Sequence, residues 1–474
     1  MLQAAEIRKS SPGPHNRSCR TSTGNSPLPG TALKPARGAV VGYQASGASA
    51  RSVYYDTGTL IMNVVTTRQP SAAEALPNSA HYMRASDGRL VEYSPLQLLV
   101  MQSTPLCNID CAYCYLPDRQ NPKRMCPETV DAVYTDLITE RFVGKQFTTV
   151  WHAGEPLTAS IRFYADAVKS SRRLAERGCK VVHSIQTNAT LVNDDWCEFF
   201  KESGVRIGVS IDGPADLHDR NRRSRSGQGT HSRVMQGVSL LRRHGIEFHV
   251  ICVLTHHSLD YPDALIAFFA SIGIQRLGLN IEEIEGANRV SSMIAPDSAD
   301  ALRRCLVRLH ELATKEGIVI REFDSLRRYI YSGRYGKVNV QSLPFGVVSV
   351  DVEGNYSTFS PELLTMRHPR YGHFTFGNIH REPFSSILDS SHFRSVHSDI
   401  QAGTDRCRAT CDYFGLCGGG APSNKVFENG TFDSAETTYC RLAKKSVIDV
   451  VLPTIENELE IPLDEGDPIV AIAS

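Results

Sequence analysis

The chain has 474 residues, which is enough for a barrel-sized domain with a smaller companion, or for about three average domains. Lysine and arginine total 51, and aspartate and glutamate also total 51, so the charge gives no indication of a nucleic-acid or membrane-surface partner. No apolar stretch approaches the roughly 20 residues that span a bilayer, and the start lacks a compact apolar signal. We therefore expect a cytoplasmic protein without a nucleic-acid or membrane partner.

The beginning of the chain is predicted to lack a fixed fold. Residues 1–60 are rich in Ser, Gly, Pro, Arg and Ala and contain only Glu6 and Asp56 as acids, a composition typical of disorder. Transit peptides share this composition, but we favour a flexible tail, or a true start at Met62. We assign residues 1–90 to a disordered or weakly ordered N-terminal extension.

From about Leu96, short apolar runs alternate with helical segments, which predicts repeated βα units around a parallel sheet. The predicted strands are Leu96–Gln102, Phe147–His152, Val181–Gln186, Val205–Ile211, Phe248–Leu254 and Arg276–Ile281, and the predicted helices cover 127–138, 158–176, 232–244 and 260–272. Six such strands fit an α/β fold with a partial (β/α)6 TIM-like barrel over residues 91–325. In such barrels the loops after the strands carry the chemistry.

After about residue 335 the alternation gives way to short strands, turns and a cysteine-rich stretch that ends near Cys440. This pattern predicts a second, loop-rich domain over residues 335–450 that is organised by metal. We assign residues 451–474 to a C-terminal tail.

Thirteen cysteines in a chain of this length are too dilute for a disulfide scaffold, and seven of them form two clusters. In the first cluster, Cys107, Cys111 and Cys114 follow the first predicted strand with the spacing C-x3-C-x2-C. Iron-sulfur clusters usually take four thiolates, so three leave one iron open to another ligand. Zinc normally takes four protein ligands, and this loop has no fourth cysteine or histidine. The spacing therefore favours an iron-sulfur cluster over zinc or ordinary buried cysteines.

With the following Tyr115-Leu-Pro-Asp-Arg119, this loop resembles that of radical S-adenosylmethionine (radical SAM) proteins with a C-terminal SPASM domain. It is most similar to the cyclophane-forming maturases of glycine-rich-repeat precursor peptides, and it is related to anaerobic sulfatase maturases. The resemblance implies a radical SAM barrel, a SPASM-like iron-sulfur domain, and a [4Fe-4S] cluster whose open iron binds SAM.

Polar positions after the next strands extend the resemblance. The segment Trp151-His-Ala-Gly-Glu-Pro156 is similar to the family's Gly-Gly-Glu-Pro motif, which implies that Gly154 and Glu155 receive the amino group of SAM. It departs from the family at Ala153, where glycine is frequent.

Three further segments resemble family motifs: Gln186-Thr-Asn188, Ser210-Ile-Asp212-Gly-Pro214 and His218-Asp-Arg-Asn-Arg222. They imply that Gln186, Asn188, Ser210 and Asp212 contact SAM and that Arg222 binds its carboxylate. In the cysteine loop, the resemblance implies that Tyr113 lies beside the adenine of SAM. Taken alone, Asp-Gly-Pro is a common turn, an arginine-rich loop is usually solvated, and Tyr113 also suits simple packing.

The second cluster is Cys407-x3-Cys411-x5-Cys417, followed by Cys440. Four thiolates fit a zinc site and a [4Fe-4S] cluster almost equally well, and the resemblance favours iron. Family members commonly carry a further cysteine near a hairpin, whereas the corresponding segment here, residues 351–360, has none. We therefore predict one auxiliary [4Fe-4S] cluster. The segments 417–425 and 439–441 resemble the cyclophane-forming subgroup.

The resemblance implies reductive cleavage of SAM by an electron from a low-potential donor such as flavodoxin or ferredoxin. A hydrogen atom is then removed from a ribosomally made precursor peptide, and a Cβ atom is joined to an aromatic ring. The main alternative is a sulfatase-maturase-like enzyme that makes formylglycine, which needs a base; Glu282 and Glu283 are candidates. A non-catalytic zinc-binding protein is the alternative from a different class.

Overall fold

The structure is a computed structural model that describes residues 80–334 and 336–458, together with the backbone of 40–44, 50–56 and 59–63. Most of the segment predicted to be disordered, residues 1–60, lies outside the described residues. The described backbone near the start forms a three-stranded antiparallel sheet. The boundary of the N-terminal extension at residue 90 stays a prediction.

Strands and helices alternate through most of the described chain. The strands are β1 Val40–Gln44, β2 Ala50–Asp56, β3 Thr59–Asn63, β4 His81–Arg84, β5 Leu90–Tyr93, β6 Leu98–Met101, β7 Ile109–Cys111, β8 Gln146–Trp151, β9 Lys180–Thr187, β10 Arg206–Ser210, β11 Arg222–Ser224, β12 Phe248–Leu254, β13 Arg276–Ile281, β14 Val319–Ile320, β15 Val347–Val350, β16 Asn355–Thr358, β17 Arg367–His368, β18 Gly372–His373 and β19 Gly377–Asn378. The helices are α1 Pro127–Thr139, α2 Ile161–Ser171, α3 Asp194–Ser203, α4 Ala215–Asn221, α5 His231–Arg243, α6 Pro262–Ser271, α7 Ser298–Glu316, α8 Arg321–Tyr331, α9 Ser391–Thr410, α10 Phe414–Cys417, α11 Pro422–Asn429 and α12 Ser446–Glu458.

The main sheet has the strand order β14-β13-β12-β10-β9-β8-β6-β15-β16-β19. The six predicted strands correspond to β6, β8, β9, β10, β12 and β13. They are neighbours in chain order, and all are parallel. This arrangement confirms a mixed α/β fold with a parallel-dominated sheet and agrees with the predicted partial barrel. The loops at the carboxyl ends of these strands therefore lie along one edge of the sheet.

Local sequence signals explain where the helices of the barrel begin. Pro127 occupies the first turn of α1, where its missing N–H costs nothing. The side chain of Asn193 accepts a hydrogen bond from the N–H of Trp196 and caps α3. Trp151, Trp196 and Tyr164 are buried between the sheet and its helices.

The C-terminal region continues the main sheet and is more helical than its sequence suggested. Strand β15 pairs in parallel with β6 and antiparallel with β16, so residues 351–354 form the turn of a hairpin. Helix α9 has 20 residues, and Ser390 caps it by accepting from the N–H of Phe393.

Helix α12 packs against α7 and α8, and its Val451 and Ile455 are buried. The boundary that we assigned to a tail at residue 451 therefore falls inside α12, while residues 459–474 lie outside the described part. Within the described residues, no helix combines the length and apolarity needed to cross a membrane.

Candidate active site

The first cysteine cluster lies on the loop that follows β6, at the carboxyl edge of the parallel sheet. Its three thiols are free and partly exposed. Burial raises the pKa of Cys107 to about 12 and that of Cys111 to about 11, and the neighbouring thiols add to both effects. The fold thus brings Cys107, Cys111 and Cys114 together. A bound cation reverses these shifts, because coordination favours the thiolate.

Arginine side chains hold the backbone of this loop. Nε and Nη2 of Arg225 donate to the carbonyl oxygen of Cys107 at 3.0 and 2.7 Å. Nη1 of Arg119 donates to the carbonyl oxygen of Cys111 at 3.2 Å and pairs with Asp110 at 2.7 Å. No role was predicted for Arg119, which ends the segment that resembles the family, and Arg225 belongs to the arginine-rich loop, a kind of loop that is usually solvated. Both bring positive charge to a loop whose ligands become anionic when a metal binds.

Arg222 is 7% exposed and lies next to the cluster loop. Its Nη1 is 3.7 Å from the sulfur of Cys111, and its Nε is 3.1 Å from Oδ2 of Asp212. The hydroxyl of Tyr113 donates to the same Oδ2 at 2.5 Å, and Oδ1 of Asp212 accepts from the N–H of Val253 at 3.1 Å. Asp212 therefore orients Arg222 and Tyr113. Their predicted contacts with SAM stay predictions.

The His-Asp pair that precedes Arg222 has a structural role. Oδ1 of Asp219 accepts from the N–H groups of Thr230 and His231 at 2.7 and 2.8 Å. The hydroxyl of Thr230 donates to the carbonyl oxygen of Arg222 at 2.7 Å, and His218 contacts that hydroxyl at 3.1 Å. Burial lowers the pKa of His218 to about 3, so its ring is neutral. The pair fixes the loop that carries Arg222.

The turn after β8 packs directly on the cluster loop. Ala153 and Gly154 have φ angles of 70° and 127°, in the region that favours glycine. A Cβ atom on Gly154 would lie 2.1 Å from the carbonyl oxygen of Thr104, and the N–H of Glu155 donates to the carbonyl oxygen of Leu106 at 2.8 Å. The left-handed φ at residue 153 explains why a glycine is suitable there and shows that Ala153 tolerates the turn at some cost.

Glu155 links this turn to the end of β9. Its carboxylate is 1% exposed and accepts hydrogen bonds from the hydroxyl of Thr187 at 2.6 Å and from the N–H groups of Asn188 and Leu157 at 2.8 and 3.0 Å. Burial raises the pKa of Glu155, and these hydrogen bonds oppose the rise. The structure gives this carboxylate a positioning role, and its predicted contact with the amino group of SAM stays a prediction.

The remaining predicted SAM contacts lie on the neighbouring strand ends. Nδ2 of Asn188 donates to Oδ1 of Asn108 in the cluster loop at 2.8 Å and lies 3.9 Å from the sulfur of Cys107. Nε2 of Gln186 donates to the hydroxyl of Ser210 at 2.9 Å across β9 and β10. Asn108 was not identified from the sequence, because nothing in the cysteine spacing marks the residue between two ligands.

The second group of cysteines also converges. Cys407 lies near the end of α9, Cys417 ends α10, and Cys440 begins a π-helical turn. These three cysteines and Cys411 line one cavity. Burial and the neighbouring thiols raise the pKa of Cys440 to about 12. Among the described residues, no three His, Cys, Asp or Glu side chains are arranged around a single metal ion.

Three carboxylates that the sequence did not bring together meet between the barrel and the C-terminal region: Glu283, Glu285 and Glu362. Burial raises the pKa of Glu283 to about 8 and that of Glu362 to about 7, and it also raises that of Glu285 well above the usual value. Repulsion from Glu362 adds to the shifts of Glu283 and Glu285, and repulsion from Glu283 adds to that of Glu285. Oε2 of Glu283 accepts from Nδ2 of Asn424 in α11 at 2.6 Å.

This carboxylate group is connected to the cluster loop through Tyr115, which follows Cys114. The N–H of Ala287 donates to the carbonyl oxygen of Tyr115 at 2.7 Å. A Cβ atom on Gly286 would lie 2.4 Å from the same oxygen, so the backbone at residue 286 passes close to the loop. Burial raises the pKa of Tyr115 well above its usual value, and the carboxylates add to the rise.

Comparison with known proteins identifies the family. The family model described as the radical SAM superfamily matches residues 101–269. An uncharacterized protein of Synechocystis sp. is 39% identical over 394 residues, which cover 81% of this chain and 99% of that relative. The chain belongs to the radical SAM superfamily.

Other relatives of this radical SAM enzyme include sulfatase-maturating enzymes. The serine-type enzyme of Bacteroides thetaiotaomicron is 36% identical over 38% of this chain, an alignment that spans 44% of that relative. The cysteine-type enzyme of Clostridium novyi is 24% identical over 72% of this chain and 91% of its own length. The chain is therefore related to anaerobic sulfatase maturases, at an identity that does not fix its substrate.

Solved structures agree on the fold. Native anSMEcpe with bound AdoMet matches with a TM-score of 0.64 and 21% identity, over 78% of this chain and all of that one. Streptococcus suis SuiB bound to the precursor peptide SuiA matches with a TM-score of 0.53 and 16% identity, over 74% of this chain and 76% of that one. Likeness at this identity supports the barrel architecture alone.

Membership in this superfamily implies a [4Fe-4S] cluster and SAM. The residues at the carboxyl edge of the sheet fit such a cluster, because three free thiols share one loop and arginine side chains surround that loop. The protein is accordingly an enzyme, and the alternative of a non-catalytic zinc-binding protein is excluded.

Proposed function

We propose that this radical SAM enzyme is a peptide maturase that joins an aromatic ring to a Cβ atom within a ribosomally made precursor peptide. The resemblance of residues 417–425 and 439–441 to cyclophane-forming maturases supports the reaction. Peptide ligands in the structures of SuiB with SuiA and of anSMEcpe with the Cp18Cys peptide support the class of substrate.

Cys107, Cys111 and Cys114 would hold the SAM-binding cluster, and Cys407, Cys411, Cys417 and Cys440 one auxiliary [4Fe-4S] cluster in a SPASM-like domain. When bound and reduced by a donor such as flavodoxin or ferredoxin, the first cluster supplies the electron that cleaves SAM into methionine and a 5′-deoxyadenosyl radical. The arginines around the loop would stabilise the anionic cluster, and Arg222, Asp212 and Tyr113 would shape the adjoining SAM site.

The observation that carries this proposal is the carboxylate group between the cluster loop and the C-terminal region. To form the crosslink, the peptide loses one hydrogen atom from Cβ, then one proton from the ring and one electron, while the Cβ–ring bond forms. Glu283, Glu285 or Glu362 accepts the proton, because a pKa near neutrality suits a general base. An auxiliary cluster held by Cys407, Cys411, Cys417 and Cys440 would supply the acceptor for the electron.

A second candidate function is the oxidation of a Cys or Ser side chain to formylglycine. The relationship to serine-type and cysteine-type sulfatase-maturating enzymes favours it. That oxidation also removes a hydrogen atom, a proton and an electron, so the same carboxylates and the auxiliary cluster serve both reactions. The bond formed in the product separates the two functions.

The test is anaerobic reconstitution of the protein with iron and sulfide, followed by iron counting and a SAM-cleavage assay under reductant. We expect about eight irons in the wild type and about four in a Cys107→Ala, Cys111→Ala, Cys114→Ala variant, with 5′-deoxyadenosine formed only by the wild type. A fully loaded wild type that makes no 5′-deoxyadenosine would overturn the proposal.

The product is then examined by tandem mass spectrometry with two peptide substrates. One is a synthetic glycine-rich peptide with aromatic residues, and the other is a sulfatase peptide with a Cys or Ser target. A peptide that loses two hydrogens and resists fragmentation between two residues indicates a crosslink. An aldehyde that reacts with hydrazine indicates formylglycine and would replace the first function with the second.

A further inference from the structure

Lys425 is a buried cation in the wall of the second cysteine cavity. Only 4% of it is exposed, although lysine is almost never fully buried unless its charge is compensated. It lies on α11 and lines the same cavity as Cys407, Cys411, Cys417 and Cys440. A positive charge in this position needs a negative partner.

The described contacts of Lys425 do not include a paired carboxylate. Its Nζ donates to the carbonyl oxygen of Gly403 at 2.8 Å, one helical turn before Cys407 in α9. The nearby acid Asp433 is bonded to Arg406 at 2.5 Å instead. An ammonium has three donors, and beyond Gly403 the side chain of Lys425 also interacts with that of Cys407.

Cysteines that bind a cluster do so as thiolates, which makes them the groups of opposite charge around Lys425. The side chain of Lys425 contacts that of Cys407 and lines the same cavity as Cys411, Cys417 and Cys440. An anionic cluster bound to these thiolates therefore favours the charged ammonium, and the ammonium in turn favours negative charge on the cluster.

The other lysines at this cavity have different partners. Nζ of Lys445 is bonded to Glu436 at 2.6 Å, and Nζ of Lys444 lies 5.4 Å from the ring centre of Tyr439. Both are closer to solvent, where water screens their charge. Lys425 is the buried lysine of the cavity.

We propose that Lys425 raises the reduction potential of the auxiliary cluster and so makes it a better acceptor of the electron released by the peptide. This inference rests on the auxiliary cluster of the proposed function. One-electron reduction adds one negative charge to the cluster, and a fixed cation in a buried site stabilises the more negative state. The peptide is oxidised by one electron and the cluster is reduced by one.

The test is a potentiometric titration of the auxiliary cluster, in which electron paramagnetic resonance measures the reduced fraction at each potential. It uses the Cys107→Ala, Cys111→Ala, Cys114→Ala background, so that the auxiliary cluster alone contributes the signal. The added changes are Lys425→Gln, which removes the charge, and Lys425→Arg, which keeps it. Lys201→Gln, on the exposed face of α3, is the control with the same change in net charge.

We expect Lys425→Gln to keep about four irons. The equilibrium constant for one-electron reduction of the cluster should fall at least tenfold, which shifts the reduction potential by about 59 mV toward more negative values. Lys425→Arg should remain near the parent value, and Lys201→Gln should not change it. An unchanged potential in a loaded Lys425→Gln protein would overturn the inference. Loss of its iron would also overturn it, by making Lys425 a structural residue.

Failure of the inference and failure of the proposed function give different results. An intact protein that binds only about four irons in total, all lost in the triple cysteine variant, lacks the auxiliary cluster and overturns both. A protein with both clusters and an unchanged potential overturns only the role of Lys425.

Discussion

Glu282 and Glu283 are adjacent in the sequence but face different surroundings at the end of β13. Oε2 of Glu282 accepts from the N–H of Ser292 at 2.8 Å and serves that loop. The carboxylate of Glu283 faces Asn424 and the other two buried acids. Both residues were proposed as bases from the sequence, but only Glu283 lies beside the other buried acids.

Glu283→Gln should therefore slow product formation while SAM cleavage continues. Loss of a general base typically costs about a hundredfold or more, and glutamine keeps the hydrogen bond to Asn424. The measurement compares 5′-deoxyadenosine with modified peptide in single-turnover reactions. Glu282→Gln is the matched control and should retain product formation. Equal rates in the two variants would assign the proton transfer to Glu285 or Glu362.

The raised pKa values also predict the pH dependence of stability. Glu283 and Glu362 have folded-state pKa values of about 8 and about 7, above about 4.3 in an unfolded chain. The folded state then holds protons that the unfolded state has lost, so the free energy of unfolding falls as pH rises from about 5 to about 8. Urea unfolding across this range should show the fall in the wild type and a smaller one in Glu283→Gln, Glu362→Gln. If the free energy of unfolding changed with pH in the same way in both proteins, the prediction would be wrong.

Ala153 carries a left-handed φ of 70°, which costs an L-residue about 1–2 kcal/mol. Ala153→Gly removes this cost but gives the unfolded chain more freedom, worth about 0.4–1 kcal/mol. We expect a net stabilisation of about 0.5–1 kcal/mol in thermal unfolding. Ala167→Gly, inside helix α2, should instead destabilise by about 1 kcal/mol. Destabilisation by Ala153→Gly would indicate that the Ala153 methyl contributes packing.

At the level of elements, the parallel strands were predictable because each one is a short apolar run that can be recognised from its own sequence. Strands β12 and β13 have the predicted bounds, and β6 and β10 differ from the prediction by one or two residues at each end. Their order follows from the preference for connecting sequential strands as neighbours.

Helix α9 was not predictable in the same way. It contains Gly403, which normally weakens a helix, and few apolar residues. In the structure a Cβ atom on Gly403 would lie 2.1 Å from the carbonyl oxygen of Phe432, so glycine is required for close packing. The carboxylate group was equally hidden, because Glu362 is far from Glu283 in the chain and only the folded hairpin brings them together.

The loop from α4 through β11 to α5 positions the cluster loop through backbone pairing. Strand β11 pairs with β7, which places Arg222 opposite Cys111. Asp219 holds the far side of this loop through the N–H groups of Thr230 and His231. The integrity of the cluster loop therefore depends on Asp219, a carboxylate that lies outside that loop.

Asp219→Ala should destabilise the protein by about 1–3 kcal/mol, because it leaves two N–H groups without their acceptor. Hydrogen exchange should increase at residues 222–231 before it increases elsewhere. Asp216→Ala on the same helix, at an exposed position, should change stability by about 0.5 kcal/mol or less. Exchange that rises evenly over the whole barrel would contradict a local role.

At the level of the whole molecule, the barrel and the C-terminal region share one sheet, since β15 pairs with β6. Helix α12 returns to pack on α7 and α8. The segment between these two attachments carries the second group of cysteines. If these cysteines hold the proposed auxiliary cluster, we expect the order of this segment to depend on the cluster more than the order of the barrel does.

Replacement of Cys407, Cys411, Cys417 and Cys440 by alanine should therefore open this segment and leave the barrel folded. The proposed cluster would join α9, α10 and the turn at Cys440, and its loss would remove cross-links of the kind that stabilise metal-organised regions. Limited proteolysis of the anaerobically reconstituted variant should cleave between residues 405 and 445, while a fragment containing β6 to β15 resists. The Cys107→Ala, Cys111→Ala, Cys114→Ala variant keeps the auxiliary ligands and should not be cleaved there. Equal resistance of the quadruple variant would show that packing of α9 and α12 alone holds the region, because those helices bury Phe393, Val396, Val451 and Ile455 without metal.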